Sequence, residues 1–243
     1  MIKKIMGARN VLQRTRAYAV SVAGSIFHAI RPYTPRVKNT YNDVCVERYH
    51  LIDKLHPNRR TTDRPLYEDT LVAETKQRVS SGDTVVILGG GLGVTTVHAA
   101  REAGPAGEVY VYEGAEKMSN IHSRTTDLNQ HRADITLEQA IVGKAGKLWG
   151  ESDGSKYVSV DELPEADVYI IDIEGAERDV VPAIESTEGT MIVETHGKFG
   201  SPTEEVEKML SKKGYDTAVA GVAEPSMKKK NEEEDIMVVV GTK

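Results

Sequence analysis

From Thr84 onward the chain alternates short apolar runs with amphipathic stretches. TVVILG, EVYVYEG, the centre of ADITLEQAIVG, DVYIIDIEG and TMIVETHG read as buried strands. VTTVHAAREAG, AEKMSNIHSRTTDLN, ERDVVPAIES and SPTEEVEKMLSKKG read as helices. KLWG and KYVSV are short extensions before the fourth strand. The helix signals differ in kind. Gly104 ends the first helix, Asn129 can end the second in a left-handed conformation, and Pro182 limits the first turns of the third. The fourth is expected to start on a Ser201 cap with Pro202 in its first turn and Glu204 completing a capping box, and to stop at Gly214.

The pattern then changes. YDTAVAGV and DIMVVVG are strands separated by AEPSMKKKNEEED, too polar for an apolar helix. The charge block reads as a solvated turn, and two strands joined by a loop pair antiparallel. The expected fold class is therefore α/β: a Rossmann-like, doubly wound, mostly parallel seven-stranded sheet ending in an antiparallel β-hairpin. An N-terminal helical and β appendage precedes it. Residues 1–42 read as a basic helix and linker, and 43–80 as a β segment (DVCVERYHLID), a loop and a helix (LYEDTLVAETKQRV). Residues 81–243 form the ligand-binding domain.

Composition narrows the function. The 243 residues are 39% hydrophobic and 28% charged, with one Trp and two Phe. That suits a globular chain and speaks against a base-stacking surface, although ten Tyr leave that open. One cysteine, Cys45, cannot form an internal disulfide, which suggests a reducing compartment and a cytoplasmic location. Net charge is −6, but residues 1–42 hold eight basic residues and no acid, so the remainder carries −14. No apolar run reaches the roughly 18–20 residues needed to span a bilayer. The leading reading of residues 1–30 is a helix packed on its own domain or on a second subunit of a homo-oligomer. The alternative is peripheral contact with an anionic membrane. No nucleic-acid partner is expected from so acidic a body.

VVILGGGLGVTTVHAA is the chemical signal. A strand, a glycine-rich turn and a helix start let a ligand approach the backbone. Dinucleotide sites favour G-x-G-x-x-G/A. Counted from Gly89, the third small residue is replaced by Val94; counted from Gly91, by Thr96. G-x-G-x-G does fit, as Gly89, Gly91 and Gly93, with Gly90 permitting the turn. That is the pattern of S-adenosylmethionine-dependent methyltransferases, whose sheet also closes with an antiparallel strand. Glu113 ends the second strand 24 residues beyond Gly89, close to the spacing of about 20 for a ribose-binding acid.

The order VVILGGGLG, VYVYEGAE, ITLEQAIVG, YIIDIEGAE and MIVETHG resembles the FkbM-type methyltransferase family over roughly residues 66–243, with DIEGAE (Asp172 to Glu177) as the most distinctive piece. The resemblance implies a class I methyltransferase fold, S-adenosylmethionine as cofactor, and a hydroxyl acceptor on a small molecule, sugar or glycolipid. It also implies adenine contacts at Gln139 and Ala140. One departure stands out: many methyltransferases carry an acid two residues before the first glycine, where this chain has Ile87.

Further residues are expected at the strand ends that open α/β sheets use for ligands. Asp172 could hold the cofactor's ammonium or orient the acceptor hydroxyl. His196 is the first candidate for the base and Asp172 the second. Tyr67 and Glu68 could close over the cofactor or merely start a helix. Glu174 and Glu177 could be helix-start acids without a chemical task. Asp172, Glu174, Glu194 and His196 could form an oxygen-rich divalent-metal site, but nothing in their spacing compels one, and no metal is assigned. The rival readings are a nucleic-acid methyltransferase using the basic arm and a non-catalytic cofactor-binding scaffold.

Overall fold

The computed structural model describes residues 18, 22, 24–56, 59, 61–143, 156–185 and 188–243. The expected helix over residues 1–30 lies largely outside them, as does KLWG; residues 24–30 are helical. Among the described residues no helix is long and apolar enough to cross a membrane.

The chain forms two compact units, residues 1–38 with 47–62, and residues 39–46 with 63–243. Strands β1 (Arg36–Tyr41) and β2 (Val44–His50) form a two-stranded sheet. In the smaller unit Asp53 is fully buried and bonded by Arg31 and Arg59 at 2.8 Å.

The larger unit is a three-layer sandwich. Its strands are β3 (Thr84–Leu88), β4 (Glu108–Tyr112), β5 (Asp134–Glu138), β8 (Val168–Ile171), β9 (Thr190–Glu194), β10 (Asp216–Val222) and β11 (Met237–Thr242). The sheet order is β10-β11-β9-β8-β3-β4-β5. The pairs among β3, β4, β5, β8 and β9 are parallel, whereas β11 runs antiparallel to β9 and β10. The seven-stranded Rossmann-like sheet and its closing antiparallel pair are as expected. A small parallel sheet of β6 (Ala140–Val142) and β7 (Lys156–Val158) adds KYV to this scheme.

Strand alternation builds both faces. Val85 and Ile87 pack with Leu71, Ala99 and Ala100, from helices α1 (Asp69–Arg78) and α2 (Val94–Ala103). Val86 and Leu88 belong to the opposite cluster, with Val180 of α4 (Glu177–Ala183) and Leu210 of α5 (Thr203–Lys212). The helix between β4 and β5, α3, spans Glu116–Leu128. Ile87 thus lies in a dry core, 2% exposed, where an acid would bear a large desolvation penalty. The missing acid is what this side of the strand demands.

Three local expectations are corrected. The charge block is not a turn: Lys228–Glu234 is a helix, α6, carrying Lys228–Glu232, Lys229–Glu233 and Lys230–Glu234 ion pairs one turn apart and burying Asn231. Asn129 is extended rather than left-handed (φ −118°). Its side chain ends α3 by donating to the Thr125 carbonyl, and it also exchanges two bonds with the Cys45 backbone. The Ser201 capping box does not form. Ser201 is buried and donates to the Gly175 carbonyl, while Asp235 accepts from the Thr203 N–H and caps α5 from outside.

Candidate functional site

Register places the chemistry in one row. Leu88 pairs with Tyr112 and Ile171, and Ile171 with Val193. The next residues along these strands, Gly89, Glu113, Asp172 and Glu194, therefore emerge together at the carboxyl edge, where β3 is flanked by β4 and β8 and the order of strands reverses. A cavity of about 340 Å³ opens there, within the range of small-molecule sites.

Among the expected residues, Tyr67, Glu68, Gly89, Gly91, Glu113, Ala140 and Asp172 line the cavity. Gly90, Gly93, Gln139 and His196 lie outside its lining. Leu88, Tyr112, Met118, Ile141, Val142 and Ile173 supply apolar walls, and Glu174 a further carboxylate.

The glycine turn is shaped by close approaches. Gly89 has φ +87°, and a Cβ there would stand 1.7 Å from the Asp172 carbonyl oxygen. Gly91 also has positive φ (+51°), but a Cβ would meet only the Glu68 carboxylate at 4.0 Å, so it would project into open cavity. Gly90 and Gly93 face inward onto His122 of α3: Cβ atoms there would come within 2.8 and 3.2 Å of the ring. His122 is fully buried, and its Nδ1 bonds the Gly90 carbonyl at 2.9 Å. Burial pushes its pKa down to about 4, so it is a neutral buttress for the turn.

Glu113 is 8% exposed and accepts from the Gly91 N–H at 2.7 Å and the Ala115 N–H at 2.8 Å. Burial raises its pKa, against the pull of those two N–H groups. Glu68 directly precedes α1, with φ +50°, so the expected helix start at Leu66 comes three residues later, at Asp69. The Glu68 carboxylate accepts from the Thr95 hydroxyl at 2.8 Å, and burial raises its pKa. Tyr67 is held by Arg64, whose guanidinium sits 4.5 Å from the ring centroid.

Behind the cavity wall lies a second cluster. His196, 5% exposed, is joined through Nδ1 to Glu177 at 2.7 Å. Its Nε2 stands 3.5 Å from Asp172 Oδ1 and 3.7 Å from Glu194 Oε1. Burial works against the imidazolium, but the Glu177 bond and the charges of Asp172 and Glu177 hold the His196 pKa above its ordinary value. Burial raises the pKa of Asp172, with His196 pulling the other way. Glu194 is raised well above the usual range by burial and by Asp172. Glu177 is not an idle helix-start acid. It is fully buried and accepts from the Gly175 N–H at 2.8 Å; burial pushes its pKa up, but the His196 bond and charge together with backbone N–H bonds outweigh that and hold it down.

The reading from sequence missed His122 and the role of Glu177. Both make contacts far along the chain, 32 and 19 residues away.

No protein-family model and no curated protein matches this chain. Solved structures with a similar chain path include precorrin-6y C5,15-methyltransferase from Geobacter metallireducens GS-15. It is 14% identical over 72% of this chain and 88% of that one, with a TM-score of 0.49. A SAM-dependent O-methyltransferase from Thermotoga maritima is 14% identical over 79% and 70%, TM-score 0.48. Aeropyrum pernix fibrillarin, solved with natively bound S-adenosyl-L-methionine, is 16% identical over 72% and 74%, TM-score 0.47.

Proposed function

We propose that this chain is an S-adenosylmethionine-dependent methyltransferase of the FkbM type that acts on a hydroxyl of a small molecule, sugar or glycolipid. The observation that carries the reading is the G-x-G-x-G turn facing Glu113 across a small-molecule cavity at the point where strand order reverses. Gly89 and Gly91 would lie against the ribose and methionine portions, Glu113 beside the ribose, and the apolar Ile141 and Val142 wall against adenine. With Ile87 in the core, the lining carboxylates not otherwise assigned are Glu68 and Glu174, and Glu68, beside Gly91, would meet the cofactor's ammonium.

The acceptor hydroxyl would sit against Asp172. Asp172 would orient that hydroxyl and take its proton, while the bound cofactor would supply the electrophilic methyl group and leave as S-adenosylhomocysteine. Burial makes that carboxylate more basic than usual, which suits proton transfer near neutral pH. This inverts the order expected from sequence: Asp172 lines the cavity and is the base, whereas His196 lies behind it and positions it. Alignment of acceptor, methyl and sulfur supplies the remaining acceleration.

Calorimetry with S-adenosylmethionine and S-adenosylhomocysteine tests the cofactor, with NAD as a competitor expected to have no effect. Failure to bind either ligand at high concentration rejects the reading. Release of S-adenosylhomocysteine across a panel of hydroxylated acceptors then identifies the substrate. Asp172→Asn should lower kcat by about 100- to 10,000-fold while leaving cofactor affinity within a few-fold.

A further inference from the structure

We propose that Asp172, Glu194 and His196 bind one divalent transition-metal ion, with Glu177 aiming the imidazole at it. One donor atom from each of the three lies within 4.8 Å of the others. An ion held at about 2.0–2.2 Å keeps its ligands roughly 3–4 Å apart, so a small inward movement of the carboxylates completes the site. The two separations from Nε2, 3.5 and 3.7 Å, already fall in that range. They are long for a charge-assisted hydrogen bond, which runs at about 2.7–2.9 Å.

Satisfaction of the polar groups points the same way. Among the described residues no hydrogen bond reaches the carboxylate of Asp172 or of Glu194, although Glu194 is only 9% exposed. Glu177, by contrast, has a bond on each oxygen. Three buried or half-buried carboxylates thus surround one imidazole, and among the described residues no lysine or arginine forms an ion pair with any of them. Nδ1 is bonded to Glu177, which leaves Nε2 as the ring atom turned toward the Asp172 and Glu194 carboxylates. A carboxylate on the far nitrogen is how metal-binding histidines are ordinarily oriented. An imidazole beside two carboxylates favours Mn²⁺, Fe²⁺ or Zn²⁺ over Mg²⁺ or Ca²⁺. Asp172 also lines the cavity, so the ion would face the bound substrate.

The proposal stands on the cluster alone and does not require the methyl donor. Full-length protein stripped with a chelator is titrated with Mn²⁺, and free ion is followed by electron paramagnetic resonance. One Mn²⁺ per chain is expected, with affinity at least about tenfold weaker in Glu194→Gln and in Asp172→Asn. Glu177→Gln should weaken it about 10- to 100-fold although all three ligands remain, and Glu177→Asp should recover part of that loss. Mn²⁺ left free by the wild-type protein at millimolar concentration overturns the proposal, as does binding unchanged in Glu194→Gln and Asp172→Asn. If Glu194→Gln loses its folded circular dichroism spectrum, the more exposed Asp172→Asn decides alone. Calorimetry with S-adenosylhomocysteine on the same samples separates the two ideas: binding of S-adenosylhomocysteine with no binding of Mn²⁺ rejects only the ion, and binding of Mn²⁺ with no binding of S-adenosylhomocysteine rejects only the methyl donor.

Discussion

Glu113 and Asp172 end neighbours of the same central strand, line the same cavity and are both raised in pKa by burial, yet their surroundings differ. Glu113 has a backbone N–H on each oxygen, and the glycine turn it meets is backed by a neutral histidine. Among the described residues Asp172 has no such donors; it faces an imidazole held by Glu177 and a second carboxylate, Glu194. The Glu113 side has its carboxylate oxygens already bonded to backbone N–H groups, and on the proposed reading it recognises the cofactor through fixed geometry. Among the described residues no lysine or arginine pairs with the carboxylates on the Asp172 side, which on the proposed reading suits it to take up a proton or a cation. On the proposed reading, rigid recognition and reactive electrostatics are thus separated across one strand.

The strongest way to break this division is at the point where the sides touch. Gly89→Ala would drive a Cβ to within 1.7 Å of the Asp172 carbonyl at φ +87°. Overpacking against backbone together with left-handed strain should cost about 2–5 kcal/mol, read as a lower urea midpoint. A variant as stable as wild type would mean that the turn does not press on β8. Gly91→Leu probes the recognition side alone. Its side chain meets open cavity, so the fold should lose only about 1–2 kcal/mol of left-handed strain. Calorimetry should nevertheless show S-adenosylmethionine affinity falling at least about 100-fold, near 2.7 kcal/mol. Retained affinity would place the ligand elsewhere.

The neutral buttress gives a pH signature. The pKa of His122 is about 4 when folded and 6.5 when unfolded. Below pH 6.5 the unfolded chain binds the extra proton, so this histidine's contribution is lost as pH falls from 6.5 toward 4. In urea unfolding, the stability advantage of wild type over His122→Asn should shrink by roughly 2 kcal/mol between pH 7 and pH 5. A constant difference would show that His122 is charged, or free to become so, in the folded state.

Much of the recognition side was legible because it is local. The β-branched run before Gly89, the alternate glycines and the acid ending the next strand all declare themselves within 29 residues, and the closing strands are β-rich enough to place the sheet edge. The reactive side was legible only in part. Asp172 and His196 could be named from the ends of their strands, but Glu177 looks like any acid at a helix start. Its partner is His196, which follows β9, the strand paired with β8, and lies 19 residues along the chain. His122 likewise sits in a polar helix, SNIHSR, and its partner is a backbone carbonyl that no residue pattern reveals.

The KKKNEEED block offers the mildest contrast, because its charges resemble those of the cavity in type but not in setting. It lacks an apolar stripe, yet α6 forms, pairing charges one turn apart and burying Asn231. Its lysines stand at the N-terminal end and its acids at the C-terminal end, opposite to what the helix dipole favours. Lys229 and Glu233 are 90% and 66% exposed, so water screens their pair, whereas Glu177 and His196 are dry. Exchanging the two, Lys229→Glu with Glu233→Lys, should therefore stabilise the chain by only about 0.3–1 kcal/mol, with the gain fading as salt is raised. The urea midpoint should rise slightly, and both cofactor and Mn²⁺ affinity should stay at the wild-type level. A change in either affinity would mean that the field of α6 reaches the cavity, and that the contrast between Glu113 and Asp172 is not set by their immediate neighbours alone.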